Sequence, residues 1–210
     1  MVPTRRRGNS ASRRRSAAPV GITRSRCRGF IAIGSPESRA TARHAMADLA
    51  LQAEVSELLF REARLLDAQR WTDWLELYCE DAVFWVPAFT MAGGYTEQPE
   101  QELNFIYMAG RSGLEERVFR LNTGISLSST PLPRTRHMVG MVMVDGQNGD
   151  AVQAFANCQV ATFTEIRGQQ FRTSSYEYLL RRSGGGLRIA QKKVLLLEAV
   201  IDGYFDFYAI

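Results

Sequence analysis

The order of apolar and polar positions divides the chain into three unlike stretches. Residues 1–45 carry one short apolar patch, Phe30 to Ile33, set among Arg, Ser, Ala and Gly. Too little apolar surface is present to offset the entropy of ordering, so this stretch is expected to be disordered. From Asp48 the period becomes helical. Leu51, Val55, Leu58, Leu59, Glu62/Ala63 and Leu66 recur at three- and four-residue steps, with Glu54, Glu57, Arg61 and Arg64 opposite them, which predicts an amphipathic helix of about five turns. A second short helix is expected over Trp71 to Tyr78, then a buried strand from Ala82 to Val86 that Pro87 ends. Phe89 to Pro99 has no period and reads as a loop. Glu100 to Met108 and Gly113 to Leu121 read as helices, and the prolines at 131 and 133 break the chain after them.

The last third changes to period two. Met138 to Val144, Ala151 to Ile166, Gln170 to Arg182 and Leu187 to Val200 read as long strands joined at Asp145–Gly149, Arg167–Gln169 and Ser183–Gly186, a β-meander with turn chemistry between its members. Helices followed by long antiparallel strands predict an α+β domain over residues 46–210, its sheet wrapped around the amphipathic helix. No repeat and no membrane-length apolar run occurs.

Charge follows the same division. The whole chain carries +4. Residues 1–45 hold eleven arginines against the single acid Glu37, a charge of +10, and the remaining residues hold fifteen basic and twenty-one acidic side chains, a charge of −6. The basic character therefore belongs to the stretch without core periodicity and gives no reason to expect nucleic acid as a partner of the domain. For that stretch three origins stand open: a transit peptide, a nucleic-acid-binding arm, or an upstream extension of the gene ahead of Met46. Export is not expected, and the domain reads as cytoplasmic, without a membrane partner.

The chemistry on offer is narrow. Cys27, Cys79 and Cys158 show no paired spacing, and the two histidines are His44 and His137, so the domain lacks the two-Cys, two-His set of a Rieske cluster and the two-His, one-carboxylate set of a mononuclear iron site. Gly184–Gly186 lies between strands and does not open a helix, which excludes a phosphate loop, and no nucleophile elbow occurs. No catalytic, cofactor-binding or metal residue is assigned. His137, within Pro133 to His137, has two open readings: a general base in a concave pocket, or, with Arg134 and Arg136, a cluster for subunit contact. Trp71, Trp74, Phe84 and Trp85 read as core between helix and strand.

Several ordered motifs then coincide. FREARLLD at 60–67, WTDWLELY at 71–78, DAVFWVP at 81–87, GLEERVFR at 113–120, PRTRH at 133–137, KKVLLL at 192–197 and DFY at 206–208 together resemble the β (small) subunit of aromatic-ring-hydroxylating dioxygenases. The segments at 104–107 and 113–117 are most similar to the branch acting on benzoate-like and anthranilate-like acids. The resemblance implies a cone-shaped fold of the nuclear-transport-factor-2/cystatin-like type and a hexamer of three α and three β subunits. It implies an α subunit that carries the Rieske cluster and the non-haem iron, a reductase that supplies electrons from NAD(P)H, and a mainly structural β subunit. Gly140 departs from the family pattern, in which many relatives carry Asn. Arg134, Arg136, His137, Tyr204 and Tyr208 are the expected subunit contacts. A stand-alone cone-fold isomerase or dehydratase using His137 with an acid or with Tyr95 is the alternative, and a ligand-retaining binding protein is a third reading.

Overall fold

The computed structural model describes residues 36–125, 129–201, 203 and 205–210, with side chains from Asp48 onward. Helix α1 (Pro36–Asp67) is followed by the short α2 (Trp71–Leu75), strands β1 (Tyr78–Pro87) and β2 (Asn104–Ala109), helix α3 (Arg111–Asn122), and strands β3 (Arg134–Asn148), β4 (Ala151–Thr164), β5 (Gly168–Ser183) and β6 (Gly186–Leu196). A 3₁₀ turn, Phe207–Ala209, follows β6. All six strands form one sheet in the order β2-β1-β6-β5-β4-β3. Neighbours are antiparallel except β1 and β6, which run parallel.

The helix-then-meander α+β reading holds, with four differences. The helix expected over Glu100 to Met108 is the edge strand β2. Its aromatic and β-branched residues pair with β1, Val86 opposite Ile106 and Trp85 opposite Tyr107, and this pairing outweighs weak local helix preference. The turn before it is closed by the Glu102 carboxylate, which accepts from the backbone N–H groups of Glu97 (2.7 Å) and Gln98 (2.6 Å). The second helix stops at Leu75, and Tyr78 already belongs to β1. Strand β3 extends beyond Met138 to Val144 at both ends, and β6 stops at Leu196 short of Val200. Helix α1 begins at Pro36, upstream of the expected boundary at Met46; the rest of the stretch expected to be disordered, residues 1–35, lies outside the described residues.

Period-two alternation explains how the sheet receives α1. On β4, Val152, Ala154, Ala156, Cys158 and Val160 are buried while the residues between them are exposed. The row is short in the middle, where alanine and cysteine leave room, and Val55, Leu58, Leu59 and Leu66 of the helix belong to the same buried cluster. The helix is also tied to the sheet edge. The Gln52 amide donates to the carbonyl of Val142 (2.9 Å) and accepts from the N–H of Val144 (3.0 Å), so it acts as a one-residue strand beside a bulged part of β3.

Candidate functional site

The concave side of the sheet is where a cone-shaped fold has room for chemistry. Here it is occupied by the protein's own side chains. Glu62 projects from the apolar stripe of α1, and Lys192 from the inner row of β6; they are 2% and 1% exposed. Lys192 Nζ stands 2.9 Å from Glu62 Oε1. The Tyr78 hydroxyl donates to the same oxygen, and the Tyr178 hydroxyl donates to Oε2 at 2.7 Å. Lys192 Nζ also lies 4.2 Å above the centre of the Tyr176 ring. Both carboxylate oxygens and the ammonium are thus engaged, the condition under which a buried pair is tolerated.

The electrostatics agree with this arrangement. Burial alone pushes the Glu62 carboxyl up, but the Lys192 ammonium and the two phenol donors outweigh it and hold the group below its ordinary value. Burial raises Tyr78, Tyr176 and Tyr178 well above theirs, and the Glu62 charge adds to the effect. Tyr78 and Tyr178 remain neutral donors to Glu62. Both Glu62 oxygens and the Lys192 ammonium have partners within the cluster, whereas the Tyr176 hydroxyl is buried with no hydrogen-bond partner.

Aromatic packing joins α2 to the C-terminal segment. Trp74 stacks on Phe207 with ring centres 4.6 Å apart and meets Tyr78 edge-on at 4.9 Å, while Trp71 packs against Phe207 at 5.7 Å and Tyr208 at 6.0 Å. These tryptophans are core, as read from the sequence. The last four residues, Phe207 to Ile210, are buried. Asp206 holds them in place: its Oδ1 accepts from the N–H of Phe207 (2.8 Å) and from Arg117 Nη1 (2.7 Å). Two sequence motifs 89 residues apart therefore meet in one contact.

The expected contact residues part company in space. Arg134 and Arg136 are exposed on the outer face of β3, where Arg134 lies 4.7 Å above the Phe163 ring and 3.2 Å from Glu165. His137 faces the other way, its side chain 1% exposed. Its Nδ1 is 2.6 Å from Asp67 Oδ1, its backbone N–H donates to Asp67 Oδ2 (3.0 Å), and the Thr135 hydroxyl donates to Oδ1 (2.9 Å). Burial pushes Asp67 up, yet these bonds prevail and leave its carboxyl below the usual value. The dyad fastens the last residue of α1 to β3, and His137 Nε2 is buried with no hydrogen-bond partner. Tyr208 is buried with its hydroxyl 2.8 Å from Ser129 Oγ, and burial pushes it up to about 12. Tyr204 lies outside the described residues. Tyr95, the other group considered as a base partner, donates instead to the carbonyl of Leu196 (2.6 Å), so it shares no hydrogen bond with His137.

Asp67, Glu62 and Lys192 escaped the sequence reading as functional groups. A signal existed for Glu62, because a carboxylate inside an apolar helical stripe demands a buried partner. On the outer side, Met138, Met143, Phe155 and Phe171 are exposed among Asn157, Gln159, Thr173 and Ser175, a patch of uncharged side chains across β3, β4 and β5 bordered by Glu177 opposite Phe155.

Among the described residues no group of three His, Cys, Asp or Glu side chains stands close enough to hold a metal ion. Cys79 and Cys158 are buried free thiols, and burial pushes both up. The described residues do not fit a Rieske cluster or a mononuclear iron site. No described helix is long and apolar enough to cross a membrane.

Comparison with known proteins gives this chain a family. Residues 61–203 match the ring hydroxylating beta subunit family, and the chain belongs to it. It is 37% identical over 158 residues to the 2-halobenzoate 1,2-dioxygenase small subunit of Burkholderia cepacia, covering 75% of this chain and 94% of that one. The crystal structure of the beta subunit of the benzoate 1,2-dioxygenase from Burkholderia mallei superposes with a TM-score of 0.60 at 30% identity, covering 75% and 96%. A candidate scytalone dehydratase from Novosphingobium aromaticivorans shares the fold alone, with a TM-score of 0.57 at 12% identity over 73% of this chain and 89% of that one. The fold is thus of the nuclear-transport-factor-2-like type. The protein is the small component of a multicomponent ring-hydroxylating dioxygenase, and the stand-alone isomerase or dehydratase reading is not favoured.

Proposed function

We propose that this chain is the non-catalytic scaffold of an oxygenase that cis-dihydroxylates a benzoate-like or anthranilate-like aromatic acid. The observation that carries the scaffold role is the satisfied Glu62–Lys192 pair: the concavity in which a cone-fold enzyme would hold a reactant contains a closed network of the chain's own groups. The substrate class is supported by the relatives named for halobenzoate and benzoate. The Rieske cluster and the non-haem iron then belong to a large α subunit, electrons arrive from NAD(P)H through a reductase, and three α and three β subunits form a hexamer in the cytoplasm.

For contacts with other subunits, the uncharged patch on the outer face of β3 to β5 and the flanking Arg134 and Arg136 have the mix of Met, aromatic and Arg side chains that interfaces favour. His137 and Tyr208 support that surface from beneath, through Asp67 and Ser129, and Tyr204 is retained as a contact. Co-expression with the large subunit, followed by light scattering and a benzoate-dependent NADH oxidation assay, tests the reading. The expected result is a mixed oligomer whose activity needs both chains. Turnover by this chain alone, without iron, reductant or partner, overturns the scaffold role, and a 23.6 kDa monomer that persists beside the large subunit overturns the assembly.

A further inference from the structure

One cleft of about 290 Å³ remains open at the mouth of the cone, between the β4–β5 turn, the prolines at 131 and 133, and the C-terminal segment. Its position follows from the alternation of β5. The inward row that deeper in the cone reads Tyr178, Tyr176 and Ser174 reaches Arg172 where the concave face leaves the core. That guanidinium lies 5.0 Å above the Phe205 ring. Its Nε is buried with no hydrogen-bond partner. Burial disfavours its charge, and Glu198 acts on it in the opposite sense without forming an ion pair.

A second cation reaches the same cleft. Arg167, at the β4–β5 turn, lies so close over Gly203 that a Cβ built there would stand 1.8 Å from its Nη1. Gly203 also has a φ of +89°, a conformation few other residues adopt. The absent side chain at 203 is therefore the space in which the guanidinium sits. Arg167 has no ion-pair partner among the described residues. Around the two cations the walls are Pro131, Pro133, Ile166, Phe171 and Phe205, and among the described residues no carboxylate lines the cleft.

We propose that this cleft binds a free aryl carboxylate, with the carboxylate directed to Arg167 and Arg172 and the ring against the proline and aromatic walls. The alternatives fail on one half of the lining each. An inorganic anion leaves the apolar walls without a partner, a neutral aromatic leaves a half-buried guanidinium unpaired, and an amino acid brings an ammonium toward two cations. A guanidinium suits a carboxylate in particular because its planar fork matches the two oxygens. The volume sits at the small end of the range for ligand pockets, about 300–1,000 Å³, which fits a single-ring acid. The site lies outside the filled core and rests on the chemistry of the cleft, independent of the scaffold role.

The test uses the full-length chain and three probes, benzoate, benzamide and inorganic phosphate, titrated by calorimetry and by chemical-shift mapping. Benzoate is expected to saturate with a Kd of the order of 1 mM, and benzamide and phosphate to bind at least about tenfold more weakly. Arg172→Met and Arg167→Gln are each expected to weaken benzoate about tenfold, the scale of a lost charge-assisted hydrogen bond. Arg167 is exposed, so its variant keeps the test valid if Arg172→Met does not fold. Absence of saturable benzoate binding, equal binding of benzamide or phosphate, or unchanged affinity in the folded variants overturns the proposal.

Discussion

The two faces of β4 and β5 are built from the same strands and do opposite things. On the concave face, both Glu62 oxygens and the Lys192 ammonium are engaged by one another and by Tyr78 and Tyr178, and the row from Val152 to Val160 shares one buried cluster with α1. On the convex face, Phe155, Asn157, Gln159 and Ser175 meet solvent without a charge among them. A cone that places an ion pair of its own at its centre is suited to present its outer surfaces to other chains. The contrast also separates two kinds of substitution, those that unfold the chain and those that leave it folded but solitary.

The largest expected effect is at the ion pair. Glu62→Ala or Lys192→Met strands a buried charge and should lower the unfolding free energy by about 3–5 kcal/mol in urea titrations, whereas the double substitution Glu62→Leu with Lys192→Met should recover most of the loss. Double-variant stability no better than either single variant would show that packing, and not the stranded charge, sets the cost. Next comes the plug. Phe207→Ala removes the ring stacked on Trp74 and should cost about 3–5 kcal/mol, read as a lower urea midpoint.

Smaller is the fastening of α1 to β3. Asp67→Ala removes the bonds to His137 and Thr135 and should cost about 2 kcal/mol at neutral pH. Because the folded carboxyl titrates below its ordinary value, the stability it contributes is present above the ordinary carboxylate range and is lost as pH falls through it. Wild type and variant should therefore converge in acid, and a constant gap between pH 7 and the acid limb would remove the carboxylate from the account. On the convex face, Met143→Glu should leave the monomer within about 0.5 kcal/mol of wild type yet weaken association with the other subunits at least tenfold, because a charge is desolvated in the contact. Unchanged assembly in light scattering would place the contact elsewhere. The smallest effect is at an exposed pair: Arg182→Ala, which breaks a bond to Glu54, should leave the melting temperature unchanged.

How far the sequence discloses this molecule depends on the distance over which each feature is decided. The period of α1 and the alternation of β4 and β5 are local, and both are visible in the residues. The strand β2 is not, because what makes Asn104–Ala109 a strand is the neighbour β1, which lies across a loop. The site shows the same division. Arg134 and Arg136 are recognisable as surface cations, but the inward turn of His137 depends on Asp67, 70 residues earlier. Glu62 stood in plain view within an apolar stripe. Its partner Lys192 reads as an ordinary inner-row residue until the parallel pairing of β6 with β1 brings it into the cone.

That pairing also sets an order of events in synthesis. Glu62 and Lys192 are 130 residues apart, and β1 finds one of its two neighbours only in the last strand of the sheet. A nascent chain that has released α1, β1 and β2 holds an uncompensated carboxylate among apolar side chains and a strand with one edge bare. Non-local closure of this kind is slow and leaves adhesive intermediates. Folding thus acts as a completeness check: a product truncated before β6 keeps its core unsealed and its Glu62 unpaired, and so never presents a finished convex face for other subunits to recognise.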